Sequence, residues 1–171
     1  GLTIRSSRDR FAARLKWWRV PSRRAAQRSG LTQALGLKSM IDALHQTVYQ
    51  GGRLLGVREA LLWEESDRVS ALELTFEALT LTLSVDSEFD SIQATLAPMA
   101  DGMIIRKAAQ DVWQSCLGKG LHWAWRLTNQ QGYDDGVRLE FHNPGEDTSV
   151  RAELIAMASA IDFFIANQVE A

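Results

Sequence analysis

The feature that most constrains the fold is a pair of alternating segments on either side of the polar loop 130–136. Apolar residues occupy every second position of both segments: Leu121, Trp123, Trp125 and Leu127, then Val137, Leu139 and Phe141. The positions between them are polar, charged or small. A period of two is typical of a strand that is buried on one face. The two segments therefore predict a β-hairpin.

The same pattern predicts the register of this hairpin. We expect the apolar residues of the two strands to face one another, because opposite residues of an antiparallel pair share a face. The predicted pairs are Leu127 with Leu139, Trp125 with Phe141, Arg126 with Glu140 and Ala124 with His142. One face of the hairpin is then an apolar ladder, and the other carries a cross-strand ion pair.

Further alternating segments extend the predicted sheet. They cover residues 54–64, 72–76, 79–85, 92–96 and 150–158, and a tight reversal is expected at Glu77-Ala78. Residues 159–166 fit a second strand or a short helix. Two segments have helical periodicity, one from Ser39 to Gly51-Gly52 and one from Ile105 to Cys116. The predicted fold class is α+β, a mostly antiparallel meander sheet packed against two amphipathic helices, with a basic helical N-terminal arm.

The charge distribution divides the chain near residue 30. Residues 1–30 carry nine basic side chains and only Asp9 as an acid, whereas residues 31–171 hold ten basic and twenty acidic side chains. The net charge of -2 therefore combines an arm of +8 with a body of -10. With 171 residues, the chain is predicted to form one α+β domain over 31–171 and an arm over 1–30.

Three interpretations of the arm remain open. Its apolar residues can dock on the acidic body, the arm can bind an anionic surface such as nucleic acid or membrane lipid, or it can be a targeting segment. Clustered arginine with interleaved tryptophan offers phosphate pairing and stacking. The candidate contact residues for an anionic surface lie within residues 5–28: Arg14, Trp17, Trp18, Arg23 and Arg24.

The compartment and the chemistry are constrained mainly by what the sequence lacks. Cys116 is the single cysteine, which favours a reducing cytoplasm and excludes an intrachain disulfide. No apolar run approaches the length of a transmembrane segment. The three histidines are not spaced as metal ligands, and no phosphate-binding glycine fingerprint is present. We therefore predict no cofactor, no metal and no catalytic residue.

A succession of motifs resembles a family of small uncharacterised bacterial domains. The residues that carry the resemblance, over about residues 50–165, are Trp113, Gly118-Lys119, Trp123-x-Trp125 and the loop Asn129-Gln-Gln-Gly-Tyr-Asp-Asp-Gly136. The resemblance implies a bacterial, intracellular, sheet-rich domain. It implies no activity, cofactor or partner, and the arm lies outside it.

The 129–136 loop is the predicted binding site, because a rigid hairpin would hold its polar groups in place. The candidate residues are Asn129, Gln130, Gln131, Tyr133, Asp134 and Asp135. The alternative is a purely structural loop, in which Gly132 and Gly136 supply positive φ angles and the aspartates serve as turn residues.

The favoured function is a non-catalytic protein-interaction module, immunity-like or an adaptor, with a protein partner or a homo-oligomer. The motivation is an acidic body that carries no catalytic set. The alternatives are a binder of an anionic surface through residues 5–28, and an enzyme that uses the carboxylates of the 129–136 loop.

Overall fold

The structure, a computed structural model, describes residues 39–63, 67–86, 88–107 and 110–169. The basic arm, with Arg14, Trp17, Trp18, Arg23 and Arg24, lies outside these residues, so the three interpretations of the arm stay open. Among the described residues, no helix combines the length and the apolar character that crossing a bilayer would require.

The described residues form nine strands, a helix α1 over residues 39–50 and a one-turn helix α2, Gln110–Trp113. The strands are β1 Leu54–Leu61, β2 Val69–Phe76, β3 Thr80–Asp86, β4 Ser91–Thr95, β5 Ile104–Lys107, β6 Gly120–Leu127, β7 Gly136–His142, β8 Thr148–Met157 and β9 Ala160–Val169. All of the strand pairs among them are antiparallel.

Helix α1 is predicted from the sequence and is present. Its side chains Met40, Ala43 and Leu44 are buried in the core. The helix ends where the Gly51 amide donates to the carbonyl of Thr47 at 2.9 Å. Gly52 follows with a φ of 75°, a left-handed conformation that glycine adopts without strain at a helix end.

The strands form two antiparallel groups that are joined into one sheet. The first group runs β5-β1-β2-β3-β4 and the second β9-β8-β7-β6, and the pair Val69↔Ile161 joins β2 to β9. A second link lies between β1 and β6, where Arg53 bridges Gly120 and the Leu54 amide donates to the carbonyl of Lys119. We call the face of this sheet that carries the core the inner face and the opposite one the outer face.

One large core fills the inner face. It takes alternate residues from β2, β3, β7 and β8, and it also includes Trp113 and Cys116 from the segment before β6. The strand contributions are Leu72, Leu74, Phe76, Leu81, Leu83, Val137, Leu139, Phe141, Val150, Ala152, Leu154 and Ala156. Helix α1 packs its buried side chains into the same cluster.

The predicted α+β fold with two amphipathic helices is wrong. The strands account for more than half of the described residues, and of the two predicted helices only α1 is present there. The segment predicted as the second helix holds β5, which pairs with the edge of β1, and only the single turn α2. Pairing of Ile104 and Ile105 with β1 overrides the helical periodicity, because both side chains are β-branched and Arg106 reaches the buried Glu59 at 2.7 Å.

The predicted register of the hairpin is also wrong, although the hairpin itself is present. A β-bulge at His122 lies between the pairs Leu121↔Phe141 and Trp123↔Glu140. Beyond the bulge, the observed pairs are Ala124↔Leu139, Trp125↔Arg138, Arg126↔Val137 and Leu127↔Gly136. One extra residue transfers the tryptophans from the inner to the outer face.

The other strand predictions agree with the structure. Phe76 and Leu79 close the reversal at Glu77-Ala78 through a backbone hydrogen bond of 2.8 Å. Residues 160–166 are a strand, since they belong to β9 and pair with β8, and Ser159 lies in the turn before them.

Candidate functional site

The 129–136 loop is closed by the side chain of Asn129. Its Oδ1 accepts hydrogen bonds from the amides of Gln131 at 2.9 Å and Tyr133 at 3.2 Å. The Asn129 amide donates in turn to the carbonyl of Tyr133 at 2.9 Å. Asparagine commonly forms such turns with its own backbone. The loop is therefore ordered by its own residues.

Both loop aspartates have partners inside the loop or its hairpin. Asp134 accepts from Thr128 Oγ1 at 2.8 Å and pairs with Arg126 at 3.3 Å. Asp135 accepts from the side-chain amide of Asn129 at 2.8 Å. Their backbone carbonyls accept from the amides of Ile92 and Ala156, which ties the loop to β4 and β8. These contacts support the structural alternative for the aspartates.

The glycines of the loop have different roles. Gly132 has a φ of 84°, as the structural alternative predicts. Gly136 does not have a positive φ; a Cβ there would lie 2.8 Å from Ile155 Cδ1 and 3.1 Å from the carbonyl oxygen of Leu154. The interpretation of Gly136 as a positive-φ residue is therefore wrong, because close packing against β8 is what requires glycine.

A polar cavity of about 390 Å³ lies beside this loop. It is lined by Glu88, Phe89, Asp90, Asn129, Gln131, Tyr133, Asp135 and Ala156. Gln130 and Gln131 are exposed, and Tyr133 is 42% exposed. Three carboxylates line the cavity, but Asp90 and Asp135 accept hydrogen bonds from Ser159 and Asn129. Within the described ranges, no group of three or more metal-ligating side chains could hold a metal ion.

An apolar surface that sequence reasoning missed lies between α1 and β6. We call it the edge surface and define it by the residues Ile41, His45, Val48, Tyr49, Trp123, Ala124 and Trp125. A groove of about 240 Å³ lies along it and is lined by these residues except Trp125, together with Leu44 and Arg126. The sequence signal for this surface is present but ambiguous, because an apolar alternation does not reveal which face of a strand is covered.

The aromatic members of the edge surface are exposed to solvent. Tyr49 is 71% exposed, Trp123 53% and Trp125 39%, and Ile41 beside them is 48% exposed. The ring centroids of Trp123 and Trp125 are 6.4 Å apart, and those of His45 and Tyr49 are 4.5 Å apart. Tryptophans predicted to lie in the core are therefore side by side at the surface.

Strand β6 ends the sheet on this side. Among the described residues, β7 is its partner along the strand, and its other edge is paired only where Gly120 meets Arg53. The backbone from Trp123 to Leu127 therefore has one edge without a partner strand in the described part of the chain. Such an edge can accept a further strand.

The charged groups next to the edge surface are paired within the chain. Arg126 is held by Asp134, and on the outer face of β7 and β8 Arg138 contacts Glu153 at 2.8 Å. Glu140 lies 3.8 Å from Arg151. The surface beside the tryptophans is thus nearly neutral, which favours apolar contacts there over the capture of ions.

The one thiol does not provide a nucleophile. Cys116 is fully buried, and burial raises the pKa of its thiol to about 12. A neutral thiol is a poor nucleophile, because the thiolate is the reactive form. Its place in the core makes Cys116 a packing residue.

These features define an antiparallel sheet domain with an ordered polar loop and an exposed apolar edge. The chain belongs to a family of unknown function (DUF6334), whose model matches residues 40–170. This match confirms the predicted resemblance to a family of small uncharacterised domains. No curated protein matches the chain significantly in sequence.

A search of solved structures finds a likeness to the N-terminal of the fibronectin/fibrinogen-binding protein from Streptococcus suis. The identity is 15% and the TM-score 0.45, over 78% of this chain and 48% of that one. The chain therefore spans about half the length of that structure. At this TM-score the likeness carries no argument about fold or function.

Proposed function

We propose that this protein is a non-catalytic protein-interaction module and that the edge surface is its contact surface. The observation that carries the proposal is the contiguous exposure of Ile41, Tyr49, Trp123 and Trp125. Their exposed fractions correspond to on the order of 500 Å² of mainly apolar area. Patches of roughly this size on soluble proteins are often functional.

The composition of the edge surface also favours a protein as the ligand. Tyrosine and tryptophan are enriched in the centres of protein interfaces, where charged residues are depleted. The edge surface has two tryptophans and a tyrosine, and Arg126, which lines its groove, is paired with Asp134. An adaptor or immunity-like role agrees with this composition, and the single buried cysteine favours a cytoplasmic location.

Site-specific photo-crosslinking in the native host tests the proposal. A photoreactive amino acid at Tyr49, which is 71% exposed, is compared with one at Phe164, which is 67% exposed and lies on β9 at the far side of the outer face. We expect a discrete protein adduct from position 49 alone, and its loss when Trp123→Glu is added. Equal adducts from both positions, or none from position 49, would contradict the proposal.

Titration of the purified protein with the purified protein that it crosslinks to then measures their affinity. Binding should lose at least tenfold in affinity with Trp123→Glu and be unchanged with Phe164→Glu. Because the contact buries apolar area, the heat capacity change of binding should be negative.

A further inference from the structure

We propose that the occupant of the edge surface is a second copy of this chain, bound by antiparallel pairing of the two β6 strands about a two-fold axis through Ala124. This inference rests on the proposed function, because it names the partner of the same surface. Three observations support it: the unpaired edge of β6 in the described part of the chain, the symmetric sequence of β6 and the position of α1.

Among the described residues, the edge of β6 from Trp123 to Leu127 lacks the features that protect a sheet edge from pairing. Proteins block such edges with charged side chains, prolines, bulges or a covering element. From Trp123 to Leu127 the strand has no proline, and Arg126, its one charged residue, is held by Asp134 of the same chain. The bulge lies at His122, before this stretch. Within the described residues, nothing pairs with this part of the edge.

The sequence of β6 is nearly palindromic about Ala124. Residues 121–127 read Leu-His-Trp-Ala-Trp-Arg-Leu, in which only His122 and Arg126 break the symmetry of the sequence. Because the bulge at His122 interrupts the strand before Trp123, the part that is symmetric in the structure is Trp123-Ala124-Trp125. A two-fold axis through Ala124 makes each Trp123 the opposite neighbour of Trp125 in the other copy. Opposite residues of an antiparallel pair share a face, so the four indoles lie together on the outer face.

The centre of this pairing contains no like charges, and Ala124 faces its own counterpart. A two-fold interface requires such self-complementarity, since each residue meets the same surface on the other molecule. A partner of another sequence would not require a palindrome. The pattern of β6 therefore favours a second copy over an unrelated peptide.

Helix α1 supplies the second part of the interface. Ile41, His45 and Tyr49 recur at every fourth residue and form a stripe along the same groove as Ala124. In the two-fold arrangement this stripe faces the edge surface of the other copy. Each copy then buries on the order of 500 Å² of side-chain area together with the strand backbone, near the lower limit of specific interfaces. We expect a dimer that depends on concentration.

Sedimentation equilibrium of the full chain over a wide concentration range tests the dimer. We expect a monomer–dimer equilibrium that Trp123→Glu/Trp125→Glu weakens at least tenfold. Phe164→Glu is the control, because it places a carboxylate at an exposed aromatic on the same outer face, and it should leave the equilibrium unchanged. Circular dichroism and thermal unfolding verify that each variant is folded.

Disulfide trapping tests the position of the axis. Ala124→Cys lies opposite itself only if the axis passes through residue 124, and directly opposite Cβ atoms are close enough for a disulfide after small adjustments. We expect Ala124→Cys to form a covalent dimer under mild oxidation. Gln130→Cys, an exposed loop position, is the control for random collision and should form far less dimer.

The outcomes separate this inference from the proposed function. A chain that is monomeric at every concentration, or a dimer that is insensitive to the tryptophan substitutions, overturns the inference. If position 49 then crosslinks to a different protein, the proposed function stands. A crosslink from position 49 to another residue of the same molecule, or no crosslink at all, overturns both the inference and the proposed function.

Discussion

Gly136 illustrates how a single residue can be required by packing rather than by backbone conformation. It begins β7, and its α-carbon lies against the side chain of Ile155 and the backbone of Leu154 on the neighbouring strand β8. A methyl group there would lie only 3.1 Å from the carbonyl oxygen of Leu154, which belongs to a paired strand and cannot move freely. The glycine thus allows the loop to approach β8 and to be tied to Ala156.

We predict that Gly136→Ala lowers the free energy of unfolding by about 1–3 kcal/mol, the range typical of overpacking. Gly56→Ala is the matched control, because Gly56 also lies in a strand and a Cβ there would meet nothing within 4 Å. That control should change stability by at most about 1 kcal/mol, and in the stabilising direction. Urea unfolding of both variants measures the difference, and equal effects would contradict the packing explanation.

Cys116 gives a prediction about pH. Because burial raises the pKa of its thiol to about 12, the folded protein holds the proton through the whole neutral range. At pH 8 the thiolate fraction is on the order of 10⁻⁴. We predict that alkylation by iodoacetamide follows global unfolding, and labelling of the native protein within minutes would contradict this.

The same shift predicts a loss of stability at alkaline pH. The unfolded thiol ionises near its ordinary pKa, so the stability that the neutral thiol contributes is present below that pKa and is lost as the pH rises toward 12. Cys116→Ala removes this dependence. Comparing the pH dependence of unfolding between the two proteins isolates the thiol.

At the scale of elements, the turn between β8 and β9 holds two residues in a conformation that is unusual for them. Ala158 and Ser159 have φ angles of 50° and 66°. A two-residue hairpin loop with both φ angles positive is a type I′ turn, which favours Asn-Gly. Contacts from outside the hairpin hold it: Asp90 accepts from the Ser159 amide, and Arg68 donates to the carbonyls of Met157 and Ala158.

We predict that Ala158→Asn/Ser159→Gly raises the free energy of unfolding by about 1 kcal/mol, because it removes left-handed strain. Ala158→Ser is the control and should have little effect, since serine is no better suited to this conformation than alanine. Thermal or urea unfolding measures both. A destabilised double variant would show that the native side chains matter more than the backbone strain.

Strand β6 shows why element-level predictions can be right in kind and wrong in orientation. Alternation correctly predicts a strand at 121–127, yet the bulge at His122 turns Trp123 and Trp125 to the outer face. Nothing in the alternation of β6 shows the bulge, because an extra residue is defined only by its partner strand. The edge surface, which depends on this inversion and on the position of α1, could not be predicted from β6 alone.

At the scale of the whole molecule, the main electrostatic feature is the charge asymmetry between the arm and the rest of the chain. The arm of residues 1–30 has a net charge of +8, and residues 31–171 have a net charge of -10. The binding of an anionic surface through residues 5–28 stays a prediction from sequence.

We predict that the full chain binds heparin or anionic vesicles with an affinity that falls at least tenfold as salt rises from low to physiological concentration, because counterion release or screening weakens such contacts. Reversal of Arg14, Arg23 and Arg24 to Glu should abolish this binding. Trp17→Ala/Trp18→Ala, which preserves charge, should weaken it without changing its salt dependence. Binding that is insensitive to salt would contradict the prediction.

The sequence by itself determined the local character of this protein. Alternation located the central hairpin, the reversal at Glu77-Ala78 and the strand that precedes the β8–β9 turn, and helical periodicity located α1, because these features depend on neighbours in the chain. The polar closure of the 129–136 loop is likewise local, since Asn129 bonds residues two and four positions away.

Tertiary structure decided which surfaces are covered and which remain exposed. Pairing with β1 made a strand of Ile104–Lys107 where the periodicity favoured helix, and packing against β8 explains Gly136. The bulge placed two tryptophans outside the core. Each of these outcomes depends on contacts between residues distant in sequence, and a periodic pattern along one strand carries no information about them.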